Sequence, residues 1–223
     1  MGQNMNQLKF EKTKSPCHKI MTDSNGKRYI MDMGTLTPNI YGFGFLPKQV
    51  SVDMVEFGHH DKNFEFKAKP SPKYTWVVAA TQPLTTILYR MFKNIFLKYA
   101  IHEQILLKWG LVGLSIVIAY VLAKGYIKRA QKKVAERLPA SAKKYRAIFT
   151  YGNRRDFSNW YVVAFISIFV SFFMFSSFGG EGIFLIIITI LSSIFFIMWL
   201  GMSPIHYDYE KQYISLVSIE EIQ

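Results

Sequence analysis

The sequence predicts a mainly α-helical polytopic membrane protein, with about four transmembrane helices and a small β-rich cytoplasmic head formed by the N-terminal region and the C-terminal tail. Three observations carry that expectation. Long uncharged apolar runs fill the second half of the 223-residue chain, where a soluble protein of this size would interleave charge. The excess of 27 Lys+Arg over 15 Asp+Glu gathers largely in one loop between apolar runs. Short alternating segments separated by turn residues lie at both ends of the chain.

Residues 1–16 have no apolar core and no small-residue cleavage site. They read as a mobile tail and not as a secretory signal. Asn6 stands where a myristoylation motif needs Ser or Thr. The single cysteine, Cys17, excludes an internal disulfide.

Residues 17–73 form the predicted head. Asn25-Gly26 is a favoured two-residue hairpin turn. A hairpin centred there sets Asp23 opposite Arg28 and Lys19 opposite Asp32, with Thr22/Tyr29 and Ile20/Met31 on the other face. A lone hairpin is marginal, so further strands are expected at 48–57 and 62–68. The tail, 203–223, adds "IHYDY" and "QYISLVSI" as strand-like segments.

The bundle occupies 74–202. The runs 160–178 and 183–202 carry no charge, and each approaches the roughly 20 residues that cross a bilayer as a helix. The short "GGEG" between them makes an antiparallel pair, with Trp160 and Trp199 as interfacial aromatics. A third span, 105–123, carries only Lys108, whose ammonium is expected to snorkel to the interface. The run 74–89, with Gln82-Pro83 at its middle, reads as a fourth, weaker crossing, the alternative being a kinked or re-entrant segment. After it, Met91, Ile95 and Tyr99 recur at helical spacing, as in an interfacial amphipathic helix.

The loop 124–156 holds eleven basic residues against Glu136 and Asp156. The positive-inside rule makes it cytoplasmic, and four crossings then put both termini inside as well. "KGYIKRAQKKVAERL" is a good helix former that can continue the third span. Its Lys128, Arg129, Lys132 and Lys133 suit anionic lipid headgroups. No groove-reading motif or stacking platform accompanies them, so nucleic acid is not an expected partner.

Nothing in the sequence points to catalysis, a metal or a cofactor. His59-His60-Asp61 lacks the further ligands a metal site needs and reads as a polar turn. Cys17-His18 reads as an ordinary strand edge more readily than a reactive pair. Glu181 reads as a solubilising loop acid. Ser167, Ser171, Ser176, Ser177, Ser192 and Ser193 are small polar positions, suited to packing the protein's own bundle or a partner helix.

Tyr29, Ile30 and Asp32 make an aromatic–aliphatic–x–Asp strand. Pro38, with Tyr41, Phe43 and Phe45, makes a Pro-centred aromatic stretch, and Pro47-Lys48 leads into a polar strand. This pattern resembles the signature of the tandem five-transmembrane proteins of Gram-positive bacteria. That family includes immunity proteins against membrane-depolarising toxins of the type VII secretion pathway. Length, basic middle loop and late hydrophobic pair extend the likeness. The resemblance implies a non-enzymatic antidote in the cell membrane, which binds or blocks a membrane-inserting toxin. It departs from the family label in showing four crossings and not five. The alternative is a non-enzymatic accessory or scaffold subunit of a secretion or transport system.

Overall fold

A computed structural model describes residues 8–39, 42–45, 47–58, 86–87, 89–139, 142–152 and 156–222. The architecture is mixed α/β. The chain divides into two compact units: Met1–Lys67 with Lys124–Trp160 and Ile197–Gln223, and Ala68–Ala123 with Tyr161–Phe196.

The first unit is built on a six-stranded antiparallel sheet whose spatial order is its chain order. Its strands are β1 (Lys9–Lys12), β2 (His18–Thr22), β3 (Arg28–Asp32), β4 (Gln49–Phe57), β5 (Lys144–Tyr151) and β6 (Ile214–Ile222). Alternation assigns the faces. Met21, Tyr29, Met31, Val52, Met54, Ala147 and Phe149 turn to one side and form the main core with Leu8, Met33, Leu36 and Ile205. Each such burial is worth on the order of 1.5–3 kcal/mol for a large side chain. Ile20, Ile30 and Phe57 turn to the other side, where Val134 and Leu138 cover them.

Several expectations about this sheet are corrected. β2 and β3 pair one residue out of the predicted register, with Thr22 opposite Arg28, Ile20 opposite Ile30 and His18 opposite Asp32. The cause is Asp23. Its Oδ1 accepts from the backbone N–H groups of Asn25 (2.9 Å) and Lys27 (2.8 Å), and its own N–H donates to the Lys27 carbonyl. That closes a three-residue loop, Ser24–Gly26, with Gly26 at φ +76°, in place of the two-residue turn. The slip puts Ile20 and Met31 on opposite faces.

Part of the expected mobile tail is a strand, because β1 pairs along β2. "IHYDY" is the helix α5 (Ile205–Glu210) and not a strand. Pro204 precedes it, and Ile205 is fully buried in the core. The basic loop contributes β5, which joins β4 to β6 at the centre of the N- and C-terminal pairing. The expected strand at 62–68 lies outside the described residues.

The second unit is helical. A helix over 89–98 (α1) is followed by α2 (Ile105–Ala135), α3 (Ser158–Phe175) and α4 (Gly182–Gly201). The latter three are long and apolar enough to cross a membrane. α2 continues without a break into the basic segment, which its run of Lys, Arg, Gln and Ala favours. Phe96, Ile101, Val112, Phe173, Leu185 and Ile188 form the core of this unit. The buried stripe of α1 is Phe92 and Phe96, while Met91 and Ile95, the expected stripe, are exposed. Tyr99 falls in the turn after α1 and is also exposed. The expected crossing at 74–89 lies almost wholly outside the described residues.

Candidate functional site

Among the described residues the bundle holds one buried ion pair. Lys108 Nζ stands 3.7 Å from Glu181 Oε1, and the two side chains are 2% and 0% exposed. Lys108 therefore does not snorkel, and Glu181 is not a surface solubiliser. The reason lies in the α3–α4 turn. α3 ends at Phe175, leaving carbonyls with no partner inside the helix. Lys108 Nζ donates to two of these last-turn carbonyls, Ser176 O at 2.7 Å and Met174 O at 3.3 Å, and lies 5.6 Å from the Phe173 ring centroid. A cation there meets the negative end of the α3 dipole. Glu181 sits just before α4, at the positive end of that helix. Among the described residues neither Glu181 oxygen has a hydrogen-bond donor in range. Lys108 is thus the neighbour that offsets its charge.

Glycine makes the turn possible. Gly179 has φ +74°, and a Cβ on it would meet Leu97 Cδ2 at 2.5 Å. A Cβ on Gly182 would meet Phe92 Cβ at 2.9 Å. α1 packs directly on the turn, which leaves no room for a side chain.

The signature residues gather on β3 and the β3–β4 connection. Tyr29 lies in the core, edge-to-face with Tyr145 at 5.4 Å, and Ile30 lies on the opposite face. Asp32 caps the short turn Met33–Thr35 by accepting from Gly34 N at 2.9 Å, and its Oδ2 accepts from Gln131 Nε2 of α2 at 2.8 Å. Pro38 follows a cis peptide bond, next to the bridge between Thr37 and Ser51. Pro47 and Lys48 lead into β4, and Phe45 is 64% exposed. Phe43 lies edge-on to Trp160 (5.9 Å) and Trp199 (5.5 Å), and its carbonyl accepts from Trp160 Nε1 at 3.2 Å. The aromatic stretch therefore joins the first turn of α3 to the last turn of α4. Gly42 and Gly44 have φ near +80°, and a Cβ on either would collide with Asn159 or Phe157.

The four basic residues assigned to lipid separate by face. Lys128, Arg129, Lys132 and Lys133 are all exposed on α2, but only Arg129 and Lys133 line a cleft against the β1–β2 turn. Cys17 is fully buried, and burial, helped by Asp32, pushes its thiol up to about 11. Burial also lowers the His18 pKa, against the opposing effect of Asp32. The two therefore do not form a thiolate–imidazolium pair at neutral pH. Ser167, Ser171, Ser176 and Ser193 donate to carbonyls four residues earlier, at Val163, Ser167, Phe172 and Thr189. Ser192 is buried, and Ser177 is exposed. His59-His60-Asp61 lies outside the described residues. Among those described, no group of three or more His, Cys, Asp and Glu side chains gathers as a metal site would need.

No protein-family model, curated protein or solved structure matches the chain. Reasoning from sequence missed the Lys108–Glu181 pair, although one signal was available. They are lone opposite charges at the ends of two apolar runs.

Proposed function

We propose that the chain is a multi-pass protein of the bacterial cell membrane and acts as an immunity protein. On this reading it protects the cell that makes it by binding a membrane-inserting, depolarising toxin within the bilayer. The function is recognition, with no chemical step and no cofactor. The observation that supports it is α3. Of its 18 residues only Phe173 is buried, and Phe165, Ile168, Phe172 and Phe175 are each more than half exposed. Ile166, Phe169, Val170 and Met174 pack on the bundle core, and the exposed side of this helix offers a long face on which another membrane helix can pack. Ser167 and Ser171 lie exposed on that helix, as small residues that permit close approach.

We place both termini on the cytoplasmic side, together with the basic segment after α2. The sheet supplies a parity argument. β4, β5 and β6 are neighbours in one sheet, so the chain crosses an even number of times between each pair. α3 and α4 satisfy this between β5 and β6. Between β4 and β5, α2 counts as one crossing, and on this reading the crossing expected at 74–89 is the second. The smallest total is four.

Co-expression with a toxin encoded beside its gene, read with a membrane-potential dye, tests the immunity role. Preserved potential is the expected result. Depolarisation unchanged by the protein for every neighbouring candidate would remove it.

A further inference from the structure

The first unit contains a cleft of about 450 Å³ between the β1–β2 turn and α2, floored by the sheet. This volume lies within the roughly 300–1,000 Å³ typical of small-molecule sites. Arg129 and Lys133 line it from α2, Arg137 from the turn after α2 and Lys14 from the β1–β2 turn, and no acidic side chain lines it among the described residues. Inside, the buried His18 ring holds its Nδ1 2.8 Å from Ser15 Oγ.

The charge arrangement is costly without an anion. Arg129 and Lys133 stand four residues apart on α2, a spacing at which like charges destabilise a helix, and Arg137 follows in the turn after it. Some bases of the unit stand against acids: Lys132 faces Glu136 at 4.0 Å, Arg146 faces Asp53 at 2.8 Å, and Lys143 faces Glu221 at 3.0 Å. The cleft gathers two guanidinium groups, whose forked donors match phosphate oxygens.

We propose that this cleft binds a phosphate-bearing anion, held by Arg129 and Lys133 with Arg137 and Lys14 at the rim. The apolar members of the lining, Ile30, Val134 and Tyr126, give it room for more than an inorganic ion. Arg129 follows Ala123, the end of the apolar part of α2, by six residues, about 9 Å of helix rise. That depth suits the headgroup of an anionic phospholipid, while a soluble phosphate ester carries the same chemistry. The inference shares only the membrane location with the proposed immunity role, and its assay can fail without that role failing.

The test uses the full chain purified in detergent. Binding of dihexanoyl phosphatidate, glycerol phosphate and dihexanoyl phosphatidylcholine is measured by native mass spectrometry and thermal shift. Phosphatidate is expected to bind more tightly than phosphatidylcholine. The double variant Arg129→Gln/Lys133→Gln is expected to weaken phosphatidate binding about tenfold or more. Arg137→Gln should give a smaller loss. Lys128→Gln/Lys132→Gln removes the same charge from outside the cleft and should change binding by less than about threefold. Phosphatidate well above glycerol phosphate assigns the site to a membrane lipid. Equal binding assigns it to a soluble ester, and either result supports a phosphate site. The proposal is overturned if neither phosphate compound binds, or if the two double variants weaken binding by the same factor.

Discussion

At the scale of single residues, the Lys108–Glu181 pair shows how burial changes what a charge is for. Each charge alone would be expensive in an apolar bundle, and each reduces the cost of the other. Lys108→Met strands a fully buried carboxylate and should cost about 3–5 kcal/mol. Lys108→Met with Glu181→Gln should cost clearly less, because the stranded charge is gone. Denaturant unfolding in detergent reads both, and equal losses would show that the pair is not coupled. His18 carries a prediction of opposite character. Its folded-state pKa is lowered, chiefly by burial, so the unfolded chain takes up a proton that the fold resists. The stability due to His18 is present above the unfolded value of about 6.5 and declines as pH falls below it. His18→Gln should flatten the midpoint-versus-pH curve between pH 7.5 and 5. A smaller slope should remain from His206, whose pKa burial also lowers. The residue types were plain in the sequence. Their partners were not, because 73 positions separate Lys108 from Glu181 and 14 separate His18 from Asp32.

At the scale of elements, the helices were legible and the turns decided the detail. The apolar runs mark α2, α3 and α4 because a helix satisfies its own backbone, so no distant partner is needed to specify it. Strands depend on a neighbour and a register. In the β2–β3 hairpin, Asn25-Gly26 correctly marked a turn, but Asp23 enlarged the loop by one residue and moved the pairing. β5 was hidden in a stretch whose basic residues drew attention to topology. Its alternation of buried Ala147 and Phe149 becomes evident only beside β4. The α3–α4 turn yields a prediction of its own. Gly179→Ala forces a side chain into φ +74°, which costs about 1–2 kcal/mol, and drives its Cβ against Leu97. Gly58→Ala, where a Cβ would meet nothing within 4 Å, is the control. Thermal midpoints of the two variants should separate, with Gly179→Ala the lower.

At the scale of the whole molecule, sheet order constrains membrane topology. On the proposed membrane reading, a meander that draws strands from before α2, between α2 and α3, and after α4 returns to one side each time. Reporters placed after Gln223 and between Leu138 and Lys143 should therefore report the same side, and one at Gly180 the opposite side. A C-terminal reporter active outside the cell would exclude the cytoplasmic termini, and reporters after Gln223 and between Leu138 and Lys143 on opposite sides would exclude the even crossing count. Residues on β3 and after it tie elements of the first unit together. Asp32 ties the sheet to α2 through Gln131, and Phe43 binds the ends of α3 and α4 through Trp160 and Trp199.

The sequence by itself determined that three helices are long and apolar enough to span a bilayer, and it marked strand-like segments at both chain ends. It also marked α2 as running on into a basic segment. Those features rest on local composition and periodicity, which a chain carries wherever its parts end up. Only the tertiary structure decided the register of β2 on β3, the entry of β5 between β4 and β6, and the helical form of Ile205–Glu210. It also brought Lys108 to Glu181, and Arg129, Lys133 and Arg137 to a cleft. The place of β5 and the Lys108–Glu181 pair depend on residues far apart in the chain meeting at close range, while the register turned on which backbone groups Asp23 accepts from, a choice its residue type does not specify.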